Sequence, residues 1–386
     1  MNVLLMFLAF LGHLALWVGV SNRIGATGWD HRVARLLRKS SNLALVGVPL
    51  LGMWFFSESL LQRDWWREAE SYHFALATYL FTCWIWFAWC LASWTGRRLR
   101  LDASIHQLLQ ESEVFLLASD MEQSPANDHL TDWLTKLPGN QVLSLEVNRK
   151  QLVVPAVPEE LAGLTITHFT DIHVSRRFTR DFYEQVFDHV NRLKSEIIVL
   201  TGDLVDLHPV PDWVPDLYSQ LVAPQGVFFI FGNHDFRQRD AADFRAALVQ
   251  AGLIDLGTAS VTQEINKVPV DFYGNECPWS GTVAQTRRND TDSTFSIGLT
   301  HSPDQFRWAQ QQQVDLLLAG HMHGGQIRFP FVGPIVAPSH HGVAYSAGCF
   351  RKAGTTMHVS RGAGGLAPLR WNCLPEITQL EIQRLP

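Results

Sequence analysis

The sequence predicts an α/β protein preceded by an all-α membrane region of about three helices, and three observations predict it. Three long apolar segments occupy the first hundred residues. From about Gln151 the pattern changes to short β-rich apolar runs, some separated by helix-like stretches. Five of those runs end in Asp, Asn or His.

Composition agrees with a membrane region joined to one sizeable soluble domain. Of 386 residues, 47% are apolar and only 18% are charged, below the roughly 25% of an average soluble protein. The net charge of −6 lacks the basic footprint of a nucleic-acid binder, so no nucleic-acid partner is expected. The five cysteines, Cys83, Cys90, Cys277, Cys349 and Cys373, are scattered without a C-x-x-C spacing. That pattern argues against a disulfide framework and for a reducing compartment.

The first apolar segment runs from Met1 to about Val20, broken only by Asn2 and His13. The second runs from Asn42 to Ser57 and extends to about residue 60, with Pro49 and Gly52 inside it. The third, Phe74 to Thr95, carries no charge. A spanning helix needs about 20 mainly apolar residues, which the first and third supply, while Pro and Gly are better tolerated in membrane helices than in soluble ones. A buried soluble bundle is the alternative, but uncharged runs of this length are rare in soluble cores. A cleaved signal peptide lacks support, because no basic n-region or small-x-small site is present and further apolar segments follow.

Basic residues near the span ends set the expected orientation. Arg23, Arg32, Arg35, Arg38 and Lys39 follow the first segment; only Arg63 and Arg67, beside Trp65 and Trp66, follow the second; Arg97, Arg98 and Arg100 follow the third. The simplest solution places the N-terminus outside and the soluble domain in the cytoplasm. Residues 101–150 read as a connector. Within them QLLQESEVFLLASDMEQ is compatible with a surface helix, and SPANDH and LPGN with turns.

In the soluble region LTITHF leads into Thr170-Asp171-Ile172-His173, and EIIVL into TGDLVD, which contains Asp203. GVFFIF leads into Gly232-Asn233-His234-Asp235, FSIGLT into His301, and VDLLLA into Gly320-His321-Met322-His323-Gly324-Gly325. Continuous apolar runs suggest strands buried on both faces, and layered α/β folds bind ligands beyond the carboxyl ends of such strands. Carboxylates and imidazoles together suit Mn, Fe, Zn or a similar divalent ion. An aspartate between two such ions holds them about 3.5–4 Å apart, where they lower the pKa of a water and neutralise a phosphate under in-line attack. Gly202, Gly232, Gly320, Gly324 and Gly325 beside the ligands permit close backbone approach.

At these residues the chain resembles the calcineurin-like metallophosphoesterase superfamily, whose pattern D-x-H, GDxxD, GNH[DE], H and GHxH stands here as DIH, GDLVD, GNHD, THSPD and GHMHGG. The tail, through GHMHGGQIRFPFVGP and from SRGAGG to PEIT, is similar to a membrane-associated bacterial branch that includes YkuE- and YaeI-type phosphodiesterases. The resemblance implies a four-layer α/β/β/α sandwich and two divalent metal ions. It implies that Asp171, His173 and His323 hold one metal, that Asn233, His301 and His321 hold the other, and that Asp203 bridges them. It further implies that His234 contacts the phosphate or protonates the leaving oxygen, oriented by Asp235.

Arg177 and Arg237, among the arginines that follow the first and third motifs, are either phosphate-binding residues or part of a solvated face. Pro278, Trp279, Phe329, Phe331 and Val332 either meet acyl chains or pack on the core. The expected division is a membrane region over 1–100, with helices near 1–20, 42–60 and 74–95, a connector over 101–150, and a phosphoesterase domain over 151–386. The expected protein is an inner-membrane, multi-pass phosphodiesterase or pyrophosphatase of a bacterium. Its expected partners are the bilayer and a phosphorylated or nucleotide-linked lipid, with UDP-2,3-diacylglucosamine as a candidate. The alternatives are a tethered phosphatase or phosphodiesterase of broad specificity and a membrane sensor with the phosphoesterase as its output.

Overall fold

The computed structural model describes residues 3–61, 71–101, 107–119, 121, 123–257, 259–280, 283, 294–365 and 367–384. The chain divides into two compact units, Met1–Ser104 and Ile105–Pro386.

The first unit contains α1 (Val3–Gly25), α2 (His31–Leu61) and α3 (Ser71–Leu101). Among the described residues two stretches are long and apolar enough to cross a membrane, Val3–Gly25 and Phe74–Gly96. The second expected span lies inside α2, which begins well before Asn42 and carries Arg32, Arg35, Arg38 and Lys39 in its N-terminal third. These residues were expected in a loop; instead α2 takes them up, and Arg23 lies in the last turn of α1, where a cation complements the helix dipole. Arg63, Trp65, Trp66 and Arg67 lie outside the described residues. Packing within this unit depends on small and polar side chains. A Cβ on Gly12 would fall 1.9 Å from the Cys83 carbonyl oxygen, so α1 and α3 approach closely only because Gly12 lacks one. His13 Nε2 donates to the Leu45 carbonyl at 2.9 Å, and its Nδ1 accepts from the Tyr79 hydroxyl at 2.6 Å, which links all three helices.

The second unit runs β1 (Gln107–Leu116), α4 (His129–Thr135), β2 (Ser144–Val153), β3 (Thr165–Phe169), α5 (Arg180–Arg192), β4 (Ile197–Thr201), α6 (Trp213–Ser219), β5 (Val227–Ile230), α7 (Ala241–Gln250) and β6 (Ile254–Asp255). It continues with β7 (Ser260–Ile265), β8 (Val268–Asn275), β9 (Phe295–Thr300), α8 (Phe306–Gln311), β10 (Leu316–Ala319), β11 (Arg328–Phe329), β12 (Gly333–Pro334), β13 (Gly348–Lys352), β14 (Thr355–Val359) and β15 (Glu376–Gln383). Two large mixed sheets form, ordered β1-β2-β15-β3-β4-β5-β6 and β13-β14-β10-β9-β8-β7. Strands β3, β4 and β5 run parallel, as do β8, β9, β10 and β14.

The apolar runs have a direct physical reading, because successive side chains in a strand point to opposite faces. In β4, Ile197 and Val199 enter one hydrophobic core while Ile198 and Leu200 enter another. In β10, Leu316 and Leu318 enter the first of these while Leu317 and Ala319 enter a third. The shared core lies between the two sheets, where Phe228 of β5 stacks on Phe272 of β8 with centroids 4.1 Å apart. The second core packs Phe187 of α5, Tyr218 of α6 and Phe244 of α7 on the outer face of the first sheet. The third packs Phe306 and Ala309 of α8 on the outer face of the other. With core on both faces, β4 and β10 stay apolar until they end.

Residues 107–153 correct the expected connector. QLLQESEVFL is strand β1, paired antiparallel with β2 from Gln107↔Leu152 to Leu116↔Ser144, and β2 in turn pairs parallel with β15. The second unit therefore begins near Ile105 rather than Gln151. Its polar edge-strand sequence gains strand character from partners distant in the chain, which override weak local preference. SPANDH leads into α4, whose first turn is capped by Asp128 accepting from the Thr131 N–H at 2.8 Å.

Candidate metal centre

The carboxyl ends of β3, β4, β5, β9 and β10 bring together all seven residues expected as ligands. The loop after β3 is fixed to the loop after β4 by backbone bonds from Asp171 N–H to the Gly202 carbonyl and from His173 N–H to the Asp203 carbonyl, each 3.0 Å. Gly320 N–H donates to the His301 carbonyl at 2.9 Å, which ties the β10 loop to the β9 loop. Five of the seven residues sit at positive φ: Asp171 at 51°, His173 at 48°, Asp203 at 54°, His321 at 69° and His323 at 48°. That conformation is uncommon and costly for residues other than glycine. Its concentration at one place marks loops shaped for function rather than for local stability.

The donor atoms converge in two groups that share one carboxylate. Asp171, His173, Asp203 and His323 form one, and Asp203, His301 and His321 form the other, the ligand atoms of each lying within 4.8 Å of one another. In the first group the Nε2 atoms of His173 and His323 are 3.2 Å apart, and Asp203 Oδ2 is 3.5 Å from His173 Nε2. In the second, Asp203 Oδ2 is 3.3 Å from His301 Nε2, which lies 3.0 Å from His321 Nδ1. His301 is oriented by donating Nδ1–H to the Thr201 carbonyl at 2.7 Å. Among the described residues, Asn233 Oδ1 is buried without a hydrogen-bond partner. Buried polar atoms are rarely left so, and this oxygen together with the converging carboxylates and imidazole nitrogens is a donor set that a divalent transition ion takes. The residues fit such an ion at two adjoining positions.

Electrostatics favours the same conclusion. Burial alone would pull the His173 and His301 imidazoles down, yet Asp206 and Asp203 beside His173, and Asp203 and Asp171 beside His301, outweigh it and hold both near about 9. Without a metal these two imidazoles attract protons, whereas burial and the neighbouring His301 and His173 hold His321 and His323 low. His173 and His301 therefore stabilise the metal-free fold below their unfolded value of about 6.5, and that contribution is lost as pH rises through about 9. A metal needs the neutral imidazoles, so its binding releases these protons. The gap in Tm between metal-loaded and chelator-treated protein is expected to widen from pH 6.5 to pH 9; a constant gap in a scanning-calorimetry series would contradict this.

Glycines make room for the ligands. A Cβ on Gly320 would fall 2.3 Å from Asp171 Oδ2, and one on Gly232 2.3 Å from Asp203 Oδ1. Gly320→Ala is expected to displace Asp171 and lower metal occupancy at the first position by about tenfold or more, read by titrating chelator-treated protein with Mn²⁺.

His234 reaches the same site, but its partner differs from the expected one. Its Nδ1 donates to Asp206 Oδ1 at 2.6 Å, and its Nε2 accepts from Arg237 at 2.8 Å. Asp235 does not touch the ring. Fully buried, it accepts the backbone N–H groups of Gly232, Leu204 and Val205 at 2.8, 2.9 and 3.1 Å and thereby joins the loops after β4 and β5. Burial and the nearby Asp203 push its carboxyl up to about 7. The ring's orienter is Asp206, whose other oxygen accepts from His173 Nδ1 at 2.9 Å. Burial would raise Asp206, but the bonds from His173 and His234 hold it below the usual carboxylate range. Asp206 closes TGDLVD, so its motif was legible while its partner was not.

Of the two arginines, Arg237 stands at His234. Arg177 instead offers its carbonyl to Asn127 N–H at 2.8 Å, and its charge acts on Asp128 beside α4. Trp279, which sequence left between two readings, packs edge-on to His301 and His321 with centroids 5.3 and 5.0 Å away. Arg370, fully buried, had no assigned role. It donates to the carbonyls of Arg361 at 2.8 Å, Gly362 at 3.2 Å and Gly364, and reaches that of His323 at 3.5 Å.

This fold and site define a metal-dependent phosphoric ester hydrolase, and comparison with known proteins agrees. The family model for calcineurin-like phosphoesterases matches residues 164–325. The chain is 31% identical over 245 residues to the uncharacterized metallophosphoesterase YkuE of Bacillus subtilis, covering 61% of this chain and 84% of that protein. It is 29% identical over 234 residues to the phosphodiesterase YaeI of Escherichia coli, covering 58% and 84%. It is 23% identical over 291 residues to the UDP-2,3-diacylglucosamine pyrophosphatase LpxG of Chlamydia trachomatis, covering 60% and 88%. The chain belongs to the calcineurin-like metallophosphoesterase family, in its YkuE/YaeI-type branch.

Proposed function

We propose that this protein is a membrane-anchored phosphodiesterase or pyrophosphatase with two divalent ions, acting on a phosphorylated or nucleotide-linked lipid. The observation that carries the reading is Asp203, shared between two histidine-containing ligand groups. Asp171, His173 and His323 would hold one ion and Asn233, His301 and His321 the other, with Asp203 serving both; Mn, Fe and Zn all suit this donor set. When bound, the ions activate a water and neutralise charge on the phosphate. His234 has Nδ1 fixed on Asp206, which turns its Nε2 edge, with Arg237, toward the phosphate. Arg237, bonded to that Nε2, supplies positive charge for a phosphate oxygen.

The three cores, one between the sheets and one on each outer face, support the four-layer α/β/β/α arrangement. The apolar helices support a multi-pass anchor in the bacterial inner membrane, with α2 as a third span over 42–60 and the phosphoesterase unit in the cytoplasm. An enzyme tethered at a bilayer meets lipid phosphates first, and LpxG, a relative, is named for a lipid-linked pyrophosphate; UDP-2,3-diacylglucosamine is the candidate substrate.

The test compares purified full-length protein with Mn²⁺ on a lipid-linked pyrophosphate in mixed micelles and on soluble model diesters. A preference of at least about tenfold in kcat/KM, equivalent to ~1.4 kcal/mol, is expected for the lipid. Equal rates would replace this reading with a tethered enzyme of broad specificity.

A further inference from the structure

The loop that carries His321 and His323 runs directly into a small hairpin of unusual composition. Residues 328–337 read RFPFVGPIVA, with Arg328 as the one charged residue. Strands β11 and β12 pair through Arg328↔Pro334 and Phe329↔Gly333, and the tip holds Phe331 at φ 64° with 85% of its surface exposed. A bulky side chain adopts that backbone region only at a cost in free energy. Phe329, Val332, Ile335 and Val336 are also exposed. A contiguous apolar projection of this kind marks a surface that meets something apolar.

The base of the hairpin identifies what that is. Arg328 N–H donates to the Trp371 carbonyl at 2.9 Å and Trp371 N–H to the Gln326 carbonyl at 3.0 Å. This places the half-exposed Trp371 and Arg328 at the base of the apolar hairpin. Arginine and tryptophan beside an apolar face are the residues that settle at a headgroup layer while neighbouring side chains enter the acyl region. Through Gln326, whose N–H donates to the His323 carbonyl at 3.0 Å, the same segment is fixed to a metal-ligand loop.

We infer that the hairpin Arg328–Pro334, with Ile335, Val336 and Trp371, is a membrane-docking finger that inserts into the surface of a phospholipid bilayer. It holds the metal centre at the headgroup level. This rests on the lipid-substrate reading for its purpose but not for its test.

The full chain is reconstituted in vesicles of phosphatidylethanolamine and phosphatidylglycerol containing a phospholipid with a diazirine in its acyl chain, and cross-linked peptides are mapped by mass spectrometry. Cross-links to the peptide spanning 328–337 are expected in addition to those on the apolar helices. Cross-links confined to the helices, or a 328–337 peptide bound instead to a second copy of the chain, would overturn the proposal. The double variant Phe331→Ser/Val332→Ser is expected to lose these cross-links by about tenfold, since two apolar side chains no longer enter the acyl region. Its turnover of a soluble diester stays within about twofold of the parent, which also verifies folding; retained cross-links at parental level would count against insertion. If lipid substrates prove no better than soluble ones while the cross-links appear, the substrate reading fails and the finger stands.

Discussion

Replacing Asp203 by Ala is expected to lower turnover of a phosphodiester by on the order of 10³-fold or more, about 4 kcal/mol of transition-state stabilisation. The size follows from position. Asp203 belongs to both ligand groups, so its loss weakens both ion positions at once, and its Oδ1 also accepts the backbone N–H of His234 at 2.8 Å. Asn233→Ala, which removes one candidate oxygen donor from one position, is expected to cost less, about 10²-fold. Stability should fall as well. Against the cost of burial, His301, His234 and His173 hold the Asp203 carboxyl well below its usual range, so the metal-free Ala variant loses these interactions and is expected to unfold below the parental temperature at pH 7. Metal content by mass spectrometry should fall from two ions per chain to fewer than one. Parental turnover in the variant would remove Asp203 from the mechanism.

Arg370→Leu is expected to destabilise the second unit by about 3–5 kcal/mol, the largest stability effect of any substitution considered. The guanidinium is fully buried and satisfies carbonyls of Arg361, Gly362 and Gly364 while reaching that of His323. Leucine fills much of the volume but donates nothing, so those carbonyls stay buried and unsatisfied. Because Gly362 and Gly364 pack against Asp171 and Ile172, release of this turn should also loosen the first ion position. Chemical denaturation of the metal-free protein measures the first effect and Mn²⁺ titration the second. Unchanged stability would show that water satisfies the carbonyls and that Arg370 is dispensable. Arg370→Lys, which keeps the charge but not the fork of donors, should recover only part of the loss.

The ligand types were legible because strand and ligand are local. A run such as VDLLLA is apolar throughout because β10 has core on both faces, and the polar residues begin where the strand leaves those cores. His301, whose motif is the least specific, was found in this way, as the first residue after β9. The two long apolar helices were legible for the same reason, since length and composition are properties of one segment.

What sequence read wrongly depended on partners far along the chain. QLLQESEVFL has no strong period and is a strand because β2 pairs with it. The basic residues after Arg23 lie mostly within α2 because the helix begins earlier than its apolar stretch. Asp235 follows His234 directly, but neighbours in a turn point in different directions. Its carboxyl turns into the fold to collect three backbone N–H groups, and Asp206 takes the ring.

Sequence by itself therefore determined the class of chemistry, the seven candidate ligands and the apolar helices, because each is written in one strand end or one helix. Only the tertiary structure decided that Asp203 is shared by two groups, that Asp206 orients His234, and that Arg370 supports the ligand loops. Those are relations between loops brought together by sheet order and register, and a hydrogen bond's geometry exists only once both of its partners have been placed.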